Sequence, residues 1–190
     1  MSHDHGTPDA VFADAQANIA SGDLAAAFAC FDRADLSKIA DNSVRALSTA
    51  DADFDELCAR FGHSAVDELR GLADRMAASA ALLTDDRASY DTSAHRQLVK
   101  DYQAATRNGL KGVADLPAFT AAMQERMRTV IGGGSISTSL FRDETLVDLE
   151  VDDKRAWATR VERGTEVDDI GFVRTRDGWK IKLFARRPSR

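Results

Sequence analysis

The chain has 190 residues, 44% of them hydrophobic and 29% charged, with 12 glycines and 3 prolines. That is enough for one domain with a core that needs neither disulfide nor metal, and it excludes collagen-like and low-complexity classes. The net charge of -6 is uneven, with 13 basic and 20 acidic residues up to Gly134 and 12 and 11 after it, which argues against a nucleic-acid binder needing a concentrated basic face.

Residues 1–8 read as a tail. Its two histidines, His3 and His5, are too few for a closed metal site, so no metal is expected. A first helix over 9–20 puts Val11, Phe12, Ala15 and Ile19 on one stripe. Ser21-Gly22-Asp23 ends it and caps a second helix carrying Leu24, Ala27, Phe28 and Phe31. Asp35 is expected to cap a third around Leu36, Ile39 and Val44. Asp51 or Asp53 opens a fourth with Phe54, Leu57, Cys58 and Phe61, closed by Gly62. Val66, Leu69, Leu72, Ala73 and Met76 continue the helical spacing, residues 84–93 read as a loop, and two more helices follow over 95–107 and 117–130. Gly132-Gly133-Gly134-Ser135 follows a helix instead of preceding one, so it reads as a helix stop and hinge and not as a phosphate cradle.

From Ser135 the apolar period changes from helical to two. Strands are expected over 136–141, 145–151, 154–163, 170–175 and 179–184. Trp157, Thr159 and Val161 share one face of their strand, and Trp179 and Ile181 point away from Lys180 and Lys182. Asp152-Asp153 and Gly164 read as turns, and Asp177-Gly178 as a two-residue type I′ hairpin loop. Helices first and strands later read as an α+β fold. The expected architecture is one domain over 9–184, helical over 9–131 with a β-meander over 135–184, and a basic tail over 185–190.

The strand bearing Ala156-Trp157-Ala158, then Ile170-Gly171-Phe172-Val173-Arg174, then Asp177-Gly178-Trp179-Lys180-Ile181, together with Ser21-Gly22-Asp23-Leu24, resembles the cone-shaped α+β superfamily of nuclear transport factor 2 and ketosteroid isomerase. The resemblance spans roughly 15–31 and 145–184. It implies N-terminal helices packed on a curved antiparallel meander with a pocket at the wide end. Residues 51–130 depart from the superfamily: either the middle is an enlarged helical segment, or a helical bundle carries an unrelated meander.

Two functional readings follow. The first is a non-catalytic domain that binds an apolar small molecule or a protein partner, or pairs as a homodimer through its sheet, with Phe28, Phe31, Trp157, Phe172 and Trp179 lining the pocket. The second is a small acid/base enzyme of isomerase or dehydratase type with a pocket under the sheet. There Asp91, His95 and Tyr102, spaced by four and seven on one helix, would orient an imidazole and offer a phenol to a developing oxyanion. No nucleophile elbow, zinc motif or cofactor fingerprint occurs, so no cofactor is expected. Cys30 and Cys58 sit among apolar neighbours and read as free core thiols of a reducing compartment. With no leader pattern and no apolar run near 18 residues, the cytoplasm is the expected location and no membrane association is foreseen.

Overall fold

Thr7 and Asp23 place the first two helices. The Thr7 hydroxyl accepts from the Ala10 N–H to start α1 (Pro8–Ser21), and Gly22, at φ 81°, ends it. The Asp23 carboxylate then accepts from the Ala26 N–H to start α2 (Leu24–Ala29). The computed structural model describes residues 6–85, 91–132 and 140–185. Five further helices follow among these residues: α3 (Arg33–Ala50), α4 (Phe54–Phe61), α5 (Val66–Asp85), α6 (Thr92–Lys111) and α7 (Leu116–Ile131). Four strands complete the α+β fold: β1 (Glu144–Val151), β2 (Arg155–Glu162), β3 (Thr165–Thr175) and β4 (Gly178–Lys182). They form one antiparallel sheet in the order β1-β2-β3-β4. The chain divides into two compact units, Met1–Leu36 with Ile136–Arg190, and Ser37–Ser135.

In the first unit α1 and α2 contribute Val11, Phe12, Ala15, Ile19, Ala27 and Phe28 to the core. The sheet contributes Ala156, Ala158, Ile170, Phe172, Trp179 and Ile181. Ladder partners share a face, and the pairs Ala156 with Phe172, Ala158 with Ile170 and Phe172 with Ile181 define the buried one. The connector after α2 covers the β4 edge: the Asp32 N–H donates to the Ile181 carbonyl at 2.8 Å, and the Ile181 N–H donates to the Cys30 carbonyl at 2.9 Å. Phe141, at φ 63°, is fully buried. Its ring lies 4.8 Å from that of Phe12 and 6.1 Å from that of Phe31, with the Arg160 guanidinium 5.5 Å above it. The Gln16 amide fixes this turn to α1 by donating to the Phe141 and Glu144 carbonyls at 2.7 and 2.9 Å.

The second unit is helical. Its core holds Ile39, Val44, Leu47, Phe54, Cys58, Leu69, Leu72, Tyr102, Leu110, Leu116, Phe119 and Met123.

Several expectations need correction. Residues 84 and 85 belong to α5, and 92 and 93 to α6, so the intervening segment is shorter than expected. The Asp91 cap, not a loop, begins α6. Asp35 lies in the first turn of α3 and does not precede it; its buried carboxylate accepts from the Phe184 N–H at 3.3 Å. Of the strand expected over 136–141, residues 136–139 lie outside the described residues, and Leu140 and Phe141 belong to a turn. The third strand begins at Thr165, ahead of the expected start.

The hairpin turns are also exchanged. Gly178 pairs with Thr175, so Arg176-Asp177 is the β3–β4 loop. Neither loop residue has positive φ, and Gly178, at φ 92°, takes the left-handed position after it. The turn with both central residues at positive φ, as type I′ requires, is Arg163-Gly164, at 50° and 83°.

Candidate functional site

The helical unit carries a groove of about 280 Å³, lined by Arg45, Ser48 and Thr49 from α3, Ala73, Met76, Ala77 and Ala80 from α5, and His95 and Tyr102 from α6. The α5 wall arises from spacing alone: 73, 76, 77 and 80 fall on one helical stripe. Small alanine side chains on that stripe leave a channel, and half-buried Met76 provides its adaptable apolar surface.

The polar groups collect at Tyr102. Its ring is 2% exposed, and its hydroxyl lies 2.6 Å from the Ser48 Oγ. The Ser48 hydroxyl also lies 3.2 Å from the Arg45 carbonyl, which can take its proton when Tyr102 donates to Ser48. Burial raises the phenol's pKa, only partly offset by the Ser48 bond, so Tyr102 is a neutral phenol at pH 7. At the other end of the groove His95 Nδ1 lies 3.1 Å from the Ser79 Oγ.

Of the three residues read as an acid/base stripe, the groove brings His95 and Tyr102 together. Asp91 is used differently: as the N-cap of α6 its Oδ1 accepts from the Ser93 and Ala94 N–H groups at 2.8 and 3.0 Å. The five aromatics read as a pocket wall do not share a surface. Phe28, Phe31, Phe172 and Trp179 are buried in the core of the first unit. Trp157 pairs with Gly171 and lies half-buried on the opposite face of the sheet. Alternation puts Trp157, Thr159 and Val161 on one face, as expected, but the inward positions belong to Ala156 and Ala158, whose small side chains accommodate the Phe172 layer.

The sequence reading passed over Ser48, Ala77 and Ala80. The signal for the alanines was present, since the α5 stripe continues past Met76. Nothing in the sequence marks Ser48, whose role depends on which helices meet.

A second groove, of about 430 Å³, is lined by Asp53, Glu56, Leu57, Arg60, Ala122, Glu125, Arg126 and Thr129. Its Arg126 is committed to structure: it grips the Asp51 carboxylate through Nε at 2.7 Å and a terminal nitrogen at 2.6 Å, and reaches Asp53 at 2.6 Å. The Arg126 guanidinium holds Asp51 below the usual carboxylate range despite burial. Cys30 and Cys58 are free and buried. Burial pushes their thiols up to about 11 and about 12, so neither is a thiolate nucleophile at neutral pH. Among the described residues no cluster of three or more His, Cys, Asp or Glu suits a metal ion, and no helix is long and apolar enough to cross a membrane.

Comparison with protein-family models, with curated proteins and with solved structures gives no match.

Proposed function

We propose that the protein is a non-catalytic binding module whose α3–α5–α6 groove takes an apolar small molecule with one hydrogen-bonding group. The single observation behind this reading is the pairing of an alanine–methionine wall with a buried Tyr102–Ser48 hydroxyl pair. Small-ligand sites have this composition, mostly apolar with a few fixed polar anchors. When Tyr102 donates to Ser48 its oxygen offers lone pairs, so the preferred ligand group is a donor such as a hydroxyl or amide N–H. We further read the first unit as a member of the cone-shaped superfamily, supported by its two opening helices and its four-stranded meander.

The test is fluorescence titration with 1-anilinonaphthalene-8-sulfonate as the apolar probe. Ala77 is exposed on the groove wall, so Ala77→Trp fills the channel without disturbing the core. The reading expects at least a tenfold weaker probe affinity in this variant with an unchanged helical spectrum. Equal affinity would refute it.

A second reading, the acid/base enzyme, draws on His95 and Tyr102 sharing the groove. It requires the Tyr102 proton to be available to substrate, whereas that proton is held inward when Ser48 donates to the Arg45 carbonyl. Binding is therefore the reading we adopt.

A further inference from the structure

His63 follows the Gly62 end of α4 and leads into α5. Its ring is 3% exposed and stacked on Phe119 of α7, with centroids 5.8 Å apart and planes 18° apart. Both ring nitrogens are buried without a hydrogen-bond partner. The space for the ring exists because α6 has glycine at 109: a Cβ there would stand 2.7 Å from Nδ1 and closer still to other ring atoms. The backbones meet as closely beside it, since a Cβ on Gly112 would lie 2.7 Å from the Gly62 carbonyl oxygen. His63 is therefore the plug that seats the 62–65 connector on the C-terminal end of α6.

We infer that His63 is an acid-sensitive latch: a neutral ring keeps the connector seated between α6 and α7, and proton uptake by the ring releases it. An imidazolium carries two N–H donors and a charge, and neither ring nitrogen makes a hydrogen bond in the seated state. The groups around it offer little compensation. Phe119 comes from α7, Gly109 and the Thr106 backbone from α6, and the Cys58 carbonyl of α4 is occupied by the His63 backbone N–H at 2.9 Å. Arg60, a like charge, lies over the Phe61 ring, which in turn contacts Phe119. Burial lowers the His63 pKa, with only the Thr106 and His63 backbones favouring the charged form. Between that lowered value and the ordinary ~6.5 the open state binds more protons than the closed one. The latch is thus fully held above pH ~6.5 and loosens as the pH falls, with up to about a tenfold rise in the opening constant per pH unit. Release frees the start of α5, whatever the groove binds.

The experiment measures unfolding by urea and amide exchange in the full chain from pH 7.5 to 5, for the wild type, His63→Phe and His95→Gln. The proposal expects exchange in α4–α6 to rise as pH falls, by up to about tenfold per unit after correction for intrinsic rates, in the wild type and His95→Gln but not in His63→Phe. The same pH dependence in His63→Phe overturns it. Should His63→Phe not fold, the wild-type His63 ring resonance decides. Titration below the ordinary ~6.5 in step with lost protection supports the latch, and titration near ~6.5 with protection intact overturns it.

Discussion

The His63 imidazole occupies the place that a side chain on Gly109 would need. A Cβ at Gly109 would stand 2.7 Å from His63 Nδ1, well inside van der Waals contact. The relationship reverses the usual expectation for a helical glycine. In an open helix position alanine is more stable than glycine by roughly 1 kcal/mol. At Gly109 the ring must move, so Gly109→Ala is expected to destabilise the protein by about 1–3 kcal/mol. A Cβ on Gly71, within α5, would meet nothing within 4 Å beyond its own helix, and Gly71→Ala is expected to stabilise by up to ~1 kcal/mol. Urea midpoints of the two variants should move in opposite directions; a stabilised Gly109→Ala would mean that the ring has room to yield.

The two tryptophans separate the faces of the sheet. Trp179 is 4% exposed, and Trp179→Ala should cost about 3–5 kcal/mol. Trp157 lies half-buried over Gly171 on the other face, with its Cζ3 2.9 Å from where a Gly171 Cβ would be. Trp157→Ala should cost under ~2 kcal/mol, the loss of a cover over a strand glycine. Chemical denaturation measures both, and equal costs would place both rings in one layer.

Arg126 neutralises Asp51, whose side chain is 1% exposed. Removing the guanidinium strands a buried carboxylate, so Arg126→Ala should lower the melting temperature, and Arg126→Ala with Asp51→Asn should recover part of the loss. The Asp51 pKa is depressed, so its contribution is present above the unfolded value of about 3.9 and is lost as the pH falls through the folded value. Wild-type melting temperature should therefore drop below pH ~4 by more than that of the double variant. A double variant no better than Arg126→Ala would show that the arginine acts through its packing alone.

How much of this was legible in the sequence depends on the range of the interactions involved. The helical stripes of Val11, Phe12, Ala15 and Ile19 and the alternation of Trp179 and Ile181 are local patterns, and both reappear as buried faces. The inward direction of β2 was not local. Trp157 is the larger residue, but Ala156 and Ala158 face the core because Phe172 and Ile170 already fill the space opposite them. The His95–Tyr102 pair was readable because one helix carries both. Ser48, which takes the Tyr102 hydroxyl from a position 54 residues away, had no sequence signal. The Gly109 notch was hidden for the same reason, since His63 and Gly109 meet only after α4, α6 and α7 have packed.

The groove itself is tested most directly by mapping where a small apolar molecule lands. Backbone and methyl resonances would be followed by NMR while 1-anilinonaphthalene-8-sulfonate is added to the wild type and to Ala77→Trp. The account predicts shifts concentrated at Ala73, Met76, Ala77, Ala80 and Tyr102, saturating in the wild type and absent from Ala77→Trp. Shifts gathered instead on the sheet around Trp157 or Trp179, or an unchanged pattern in Ala77→Trp, would contradict it.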